Sequence, residues 1–439
     1  MARWQLLPHT ARVNALQHLE LGGCDVVSLA EQFGTPLYLY DEATLRVQAT
    51  DALNLLRAQW NDAALLYATK AYWAPFLARL YRELGLGLDV TSEAEILIAQ
   101  HAGFDPEIIY LHGNNKTPAE IRAALASGVT HFVVDNFEDI ARIAEFGAAH
   151  APSRIYRLLL RLSPNIDAHT HRYMTTGVAD SKFGLGIQNG MAERAARAIA
   201  VHANLDLVGL HFHIGSQVFD TDALREALAA VLDVAADWRA KFAFDLRELN
   251  IGGGWGVAYN QAQTTLDMDA FLRNTTRALR AGLRARGLNE QIKLIAEPGR
   301  GLIARAGVAL YRVGAIKELP NVRTYIAIDG GMGDNVRPAL YNASYQALLA
   351  NRMEECDARE YAIAGRYCEQ GDVLIERARL PETRVGDLLA IPVAGAYQLP
   401  MASNYNLIPR PAVVLVGGGH ARLTRRRESL EDMLACDLE

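Results

Sequence analysis

Leu65-Leu66-Tyr67-Ala68-Thr69-Lys70-Ala71 reads as a short buried strand with one lysine at its C-terminal end. An apolar run of this length, bounded by polar residues, fits a core strand. A lysine in that position has three outlets. It reaches solvent along its aliphatic stem, pairs with an acid, or does chemistry. The run alone does not choose among them; the residues on either side do.

Outward from this stretch the chain alternates. Strand-like runs fall at 64–69, 86–90, 108–112, 131–134, 155–162, 207–213, 247–251 and 292–296. Amphipathic stretches with apolar residues three or four apart separate most of them, as at 117–127, 137–149, 221–240 and 269–286. Eight strands alternating with helices over this span predict an α/β fold, a (β/α)8 TIM-like barrel. A doubly wound open sheet is the competing arrangement; the strand count and the placing of polar residues at strand ends favour the barrel. After about residue 305 the pattern changes to short β-rich runs punctuated by Gly and Pro, among them 308–313, 324–329, 373–376, 387–392 and 412–416. The expected organisation is therefore an N-terminal segment over 1–45 that joins a β domain, a barrel over 46–305, and an all-β C-terminal domain over 306–439. The run Pro36-Leu37-Tyr38-Leu39-Tyr40 is the part of the N-terminal segment that looks like a strand.

Bulk composition narrows the partners. The 439 residues are 50% hydrophobic and 21% charged, an ordinary globular balance. A net charge of -6 and the lack of a long basic run argue against a nucleic-acid partner. Arg425-Arg426-Arg427, close to Glu428, Glu431 and Asp432, is read as the solvated face of a last helix. Cys24, Cys356, Cys368 and Cys436 show no CxxC spacing, which points to a reducing compartment and no structural zinc. Residues 1–20 carry Arg3, His9, Arg12 and His18 where a signal peptide or anchor would be apolar. No apolar run is long enough to span a bilayer. A cytoplasmic protein without a membrane partner is expected.

In a barrel the catalytic groups gather at the C-terminal ends of the strands. Those ends supply Lys70, Asp89, His112, Arg161, His213, the glycines 252–254 and Glu297. Gly252-Gly253-Gly254 lets backbone N–H groups approach an anion, although a tight turn would use the same residues. Pro298-Gly299-Arg300-Gly301 adds a second glycine turn with an arginine, and paired turns at a barrel end are a common seat for phosphate. Glu297, which leads that turn, suits a protonated pyridine nitrogen; the bland alternative is an acid paired with an arginine. In His211-Phe212-His213-Ile214-Gly215-Ser216 the two histidines would face the same way in a strand. A metal is conceivable there but lacks a third ligand at recognisable spacing. A histidine stacked on an aromatic cofactor, with Ser216 on its phosphate, fits better. With Lys70 as the amine and Asp89 as an acidic strand end, the set points to pyridoxal 5'-phosphate bound as a Schiff base in an amino-acid decarboxylase.

From about residue 34 to about residue 415 the sequence resembles the fold-type III pyridoxal-phosphate decarboxylases, and within them the diaminopimelate decarboxylase family. Tyr67-Ala68-Thr69-Lys70-Ala71, His211 to Gln217, Gly252 to Gly254 and Glu297 to Arg300 are similar to motifs shared with ornithine and arginine decarboxylases. Four narrower motifs resemble the diaminopimelate enzymes: Asp167 to Tyr173 continuing through Thr176-Gly177 to Gly184, Arg337-Pro338-Ala339-Leu340-Tyr341, Cys368-Glu369-Gln370-Gly371-Asp372, and Gly395-Ala396-Tyr397 with Met401 to Asn406. Tyr72, Glu93, Gly333 and Gln370 depart from the family pattern.

The resemblance implies an alanine-racemase-like arrangement of barrel and β domain, and a role for each position. Lys70 carries the cofactor, His213 stacks on its ring and Glu297 meets the ring nitrogen. Ser216, Gly253, Gly254, Gly299 and Tyr397 approach the phosphate, with Arg300 also at the cofactor. Arg300, Arg337, Tyr341, Glu369 and Tyr397 hold the far end of the substrate. Cys368 donates a proton. In this family Cys368 and Glu369 reach the partner subunit's site, so a homodimer is implied. The implied reaction takes meso-2,6-diaminopimelate to L-lysine and CO2. The alternatives are a decarboxylase of another basic amino acid or a carboxylated polyamine, and a non-catalytic regulatory homologue, against which the retained Lys70, Glu297 and Cys368 count.

Overall fold

The structure, a computed structural model, describes residues 2–166, 181–356 and 359–438. Most of the motif from Asp167 to Gly184 lies outside the described residues. The chain forms two compact units, a barrel unit of 49–256 and 266–301 and a sheet unit of 1–48, 257–265 and 302–439. Strand β1 (Leu37–Asp41) belongs to the sheet unit.

In the barrel unit the strands are β2 (Ala63–Ala68), β3 (Gly87–Val90), β4 (Ile109–Leu111) and β5 (His131–Val134), followed by β6 (Tyr156–Ser163), β7 (Leu205–Phe212), β8 (Glu248–Asn250) and β9 (Lys293–Ala296). Each pairs in parallel with the next, and β9 returns to β2 through Leu294 opposite Ala63. Among the described residues this is a closed eight-stranded parallel barrel. Every strand lies within two residues of its run in the sequence. Strands covered on both faces read as continuous apolar runs, and β2 shows why: Leu65, Leu66, Tyr67 and Ala68 are all buried. Leu66, Tyr110, Val133, Leu159, Val208 and Ile295, from six different strands, form one packed layer. Side-chain caps start the helices promptly. Ser92 accepts from the Glu95 N–H, Asn136 from the Asp139 N–H, and Thr117 with Glu120 makes a reciprocal capping box. Prompt helix starts keep the loops after β3, β4 and β5 short, so residues just beyond those strands stay at the barrel end.

The sheet unit is built on β10 (Gly307–Leu319), which pairs antiparallel with β1, with β11 (Arg323–Ile328) and, further along the chain, with β14 (Leu388–Pro392). Between these in sequence lie β12 (Arg359–Ala364) and β13 (Val373–Leu380), which extend the sheet from β11. β15 (Ala412–Gly417) lies parallel to β1, and β16 (His420–Arg425) closes that edge. Leu37, Leu39, Val308, Leu310, Leu388, Ala390, Val414 and Val416 share its core.

The arginine cluster at 425–427 differs from the expectation of a helical face. Arg425 ends edge strand β16, Arg426 pairs with Asp432, and Arg427 donates to the Pro36 carbonyl at 2.8 Å. The last helix, Leu430–Leu434, begins only after them.

No helix of the described residues is long and apolar enough to cross a membrane.

Candidate active site

Strand β2 ends at Ala68, and a single 3-10 turn, Thr69–Ala71, carries Lys70 out of the barrel wall. Thr69 pins the turn by donating its hydroxyl to the Asp89 carbonyl at 2.9 Å. The Lys70 side chain is 52% exposed, while its partner Asp89 is 2% exposed; Nζ donates to Oδ2 at 3.0 Å. The second Asp89 oxygen, Oδ1, is buried without a hydrogen bond among the described residues. An amine open to solvent over a buried carboxylate is held in place and still reachable.

Glu297 follows β9 and is clamped from three other strand ends. Asn250, at the end of β8, donates to Oε1 at 2.5 Å, and its own Oδ1 accepts the Gly252 N–H at 3.0 Å. His211 Nε2, in β7, lies 3.0 Å from Oε2. His112 Nε2, just beyond β4, lies 2.8 Å from Oε1, but its ring is turned so that the contact is close rather than an aligned hydrogen bond. Burial pushes the His211 imidazole down to about 4, so at neutral pH it is an uncharged N–H donor. Burial alone would raise Glu297, but His112 and His211 outweigh it and hold the carboxyl well below the usual carboxylate range. Glu297 is therefore an ionised carboxylate in a dry setting.

His112, His211 and Glu297 bring ligand atoms within 4.8 Å of one another, a set different from the His211 and His213 pair considered in the sequence. His211 Nε2 donates to the carboxylate, and a nitrogen that donates a proton has no lone pair for a metal.

His213 lies beyond the end of β7, so it does not share a strand face with His211. Burial and the nearby charges of Arg161 and Lys70 hold its imidazole well below its ordinary value, and it is neutral. The Gly253 N–H donates to Nδ1 at 3.2 Å, so the ring proton is on Nε2. The glycine run has an internal requirement too. A Cβ at Gly253 would stand 2.1 Å from the Glu297 carbonyl, and one at Gly254, where φ is +84°, 2.2 Å from the Gly215 carbonyl. Arg300 Nη2 donates to Ser216 Oγ at 3.1 Å, which ties the turn after β9 to the turn after β7.

The sheet unit gathers the remaining motifs into two groups. Arg337 is 2% exposed, donates to the Tyr345 hydroxyl at 2.6 Å and lies 5.1 Å from the Tyr259 ring centroid and 5.9 Å from that of Tyr341. Among the described residues no carboxylate pairs with it. A cation taken out of water this far without an acid is unusual. In the second group, buried Asp372 accepts the N–H of Met332 at 2.6 Å and of Tyr367 at 2.8 Å, fixing the base of the turn that carries Cys368 and Glu369. The Cys368 N–H donates to Asn406 Oδ1 at 2.8 Å, so the motif at 401–406 touches this turn. Cys368 and Glu369 are exposed. Gly333, a departure from the family pattern, lies flat against the Tyr367 ring, which a Cβ would strike at 2.2 Å. Tyr397 is half-buried at φ +63°, a left-handed conformation costly for a tyrosine.

Sequence reasoning missed Asn250 and gave His112 no task. The available signal was a polar residue ending a buried strand, as in Leu249-Asn250-Ile251.

Comparison with known proteins places this geometry. Residues 45–304 match the family model described as "Pyridoxal-dependent decarboxylase, pyridoxal binding domain". The diaminopimelate decarboxylase of Bacillus subtilis is 43% identical over 429 residues, covering 98% of this chain and 97% of the relative. That of Staphylococcus aureus is 39% identical over 98% of this chain and 99% of its own. The crystal structure of diaminopimelate decarboxylase from M. jannaschii in complex with L-lysine superposes with a TM-score of 0.88 at 31% identity, covering 98% of both chains. A lysine/ornithine decarboxylase from Vibrio vulnificus, complexed with putrescine, gives 0.74 at 26% identity, over 90% of this chain and 97% of that one. The chain belongs to the pyridoxal-dependent decarboxylases, in the diaminopimelate decarboxylase family.

Proposed function

We propose that this protein uses pyridoxal 5'-phosphate to decarboxylate meso-2,6-diaminopimelate to L-lysine and CO2. The observation that carries the choice of substrate is buried Arg337, a cation in a tyrosine-lined setting with no acid partner among the described residues. Diaminopimelate bears an amino-acid head at both ends, so its distal carboxylate is the anion such a group lacks. Ornithine and lysine have none to offer.

The residues of the barrel end fit the cofactor. They include a reachable amine on Lys70, an ionised carboxylate on Glu297, a neutral imidazole on His213, and the linked Arg300 and Ser216 beside a glycine run. The unsatisfied buried oxygen of Asp89 leaves room for a further donor. When bound, pyridoxal phosphate supplies the electron sink that lets a carboxylate leave as CO2. Lys70 would anchor it, with Asp89 orienting the Lys70 amine. Glu297 would hold a proton at the ring nitrogen, and His213 would serve the ring. Arg300, Ser216, Gly253, Gly254, Gly299 and Tyr397 would take the phosphate. Arg337 grips the distal carboxylate with a planar fork, aided by Arg300, Tyr341 and Tyr397, and Glu369 takes the distal ammonium. Cys368 Sγ gives the proton that replaces the lost carboxylate. Purified protein loaded with cofactor should release CO2 and L-lysine in equal amounts from the meso isomer. Loaded protein that leaves meso-diaminopimelate unchanged contradicts the reading.

The exposed turn bearing Cys368 and Glu369 supports a homodimer in which each chain lends that turn to the other's site. In a two-fold dimer the sites are equivalent, so a mixed dimer of Lys70→Ala with Cys368→Ala holds one doubly defective site and one intact site. Random exchange of equal amounts should restore about a quarter of wild-type activity. Verified exchange with no recovery would place Cys368 in its own chain's site or outside any site. Four free cysteines suit a cytoplasmic protein.

A further inference from the structure

The acid beneath Lys70 and the acid assigned to the ring nitrogen are bridged by one side chain. His112 follows β4, and its backbone N–H donates to the Val90 carbonyl at 2.8 Å, which fixes its position beside β3. Its buried ring puts Nε2 2.8 Å from Glu297 Oε1 and 3.8 Å from Asp89 Oδ1. That Asp89 oxygen has no hydrogen bond, while the other accepts from Lys70. Nε2 thus lies within 4 Å of a carboxylate oxygen on each acid and is aligned on neither.

We propose that His112 is a positioning residue that ties Asp89 to Glu297 and sets the orientation of both. The inference rests on the reading of Glu297 as partner of the ring nitrogen. The other groups facing the cluster leave this task to His112. His211 is held neutral by burial and serves the far oxygen of Glu297, with its ring edge-on to His112 at 5.2 Å and 73°. Asn250 is a neutral donor. Lys70 donates to Asp89, and Arg161 acts on both acids through its charge. His112 places one ring nitrogen within 4 Å of an oxygen on each acid. Removing it leaves Glu297 with less to offset its burial. The carboxyl then protonates at higher pH, so any property that needs Glu297 ionised is lost at a higher pH on the acid side.

The test compares wild type, His112→Phe and His112→Gln, each loaded with pyridoxal phosphate. It reads cofactor affinity, the pH midpoint of the bound cofactor's visible absorbance, and kcat and KM separately. His112→Phe should lose about tenfold in affinity and in kcat, within the range that loss of an outer-shell partner produces, with KM changed less than about twofold. Its absorbance midpoint should move to higher pH. His112→Gln keeps an amide N–H within reach of Glu297 and should recover most of the affinity and the midpoint. If melting curves show that the Phe variant does not fold, His112→Asn, whose amide is too short to reach Glu297, takes its place with the same expectation. Equal defects in the Gln variant and the donor-less variant, or a midpoint unmoved from wild type, would make His112 a packing residue and overturn the proposal. Affinity and absorbance need no substrate, so an error in the choice of substrate would show separately, as loaded wild type inert toward diaminopimelate.

Discussion

Lys70→Ala should lower kcat by about four orders of magnitude or more, the scale on which loss of a covalent catalytic group acts. The fold should survive. The Lys70 side chain is 52% exposed, so alanine leaves little cavity, and Asp89 keeps His112 at 3.8 Å. Cofactor should still bind through the phosphate turns and Glu297 but should wash out, because its bond to the chain is gone. Borohydride treatment of wild type should fix the cofactor on the peptide that contains Lys70. Other lysines are poorly placed to compete. Lys116 is buried and held by Asp139 Oδ2 and the Gly113 carbonyl, both at 2.8 Å. Lys182 lies 4.9 Å from the Phe183 ring centroid. A label on either, or more than about a hundredth of wild-type activity left in Lys70→Ala, would remove Lys70 from its role.

Arg337→Ala should produce the second large effect, and a selective one. Truncating one partner of a buried charge-assisted pair costs about 2–5 kcal/mol, so kcat/KM for diaminopimelate should fall roughly 30- to 5,000-fold. Any slow turnover of ornithine should change no more than about threefold, because ornithine brings no distal carboxylate for the arginine to hold. Arg337→Lys should recover only part of the loss, since an ammonium cannot reproduce the planar fork. The tyrosines around the site make a folding control necessary, and the ratio between two substrates supplies it: a misfolded protein loses both. Equal losses on both substrates would assign Arg337 to the packing of Tyr259, Tyr341 and Tyr345.

The barrel was legible because its strands are covered on both faces. Buried runs such as 131–134 and 156–163 stand out from the amphipathic helices between them, and caps at Ser92, Thr117 and Asn136 mark where each helix begins. β16 was not legible. His420-Ala421-Arg422-Leu423-Thr424-Arg425 is largely exposed at a sheet edge, so it carries no alternation, and its arginines looked helical beside the acids that follow. The membership of 257–265 in the sheet unit has no local signature, since tertiary packing decides it. The candidate site divides in the same way. Lys70, Glu297 and the glycines announce themselves as polar or permissive residues next to buried runs. The clamp on Glu297 does not, because His211, Asn250 and Glu297 lie far apart in sequence on or just after paired strands, and His112 beyond β4 reaches Glu297 only when the barrel closes. That no described carboxylate pairs with Arg337 could not be read from sequence at all, because it depends on what packs around it.

One competition measurement tests the central claim most directly. Loaded wild-type protein is given uniformly carbon-13-labelled meso-diaminopimelate with unlabelled L-lysine, L-ornithine and L-arginine at equal concentration, so that lysine formed differs in mass from lysine added, and each amine or amino acid formed is followed by mass. The account predicts that lysine from diaminopimelate appears first and accumulates, while cadaverine, putrescine and agmatine stay at least about a hundredfold lower, because three of the four substrates leave Arg337 without an anion. Faster formation of any of those three amines than of lysine would contradict it.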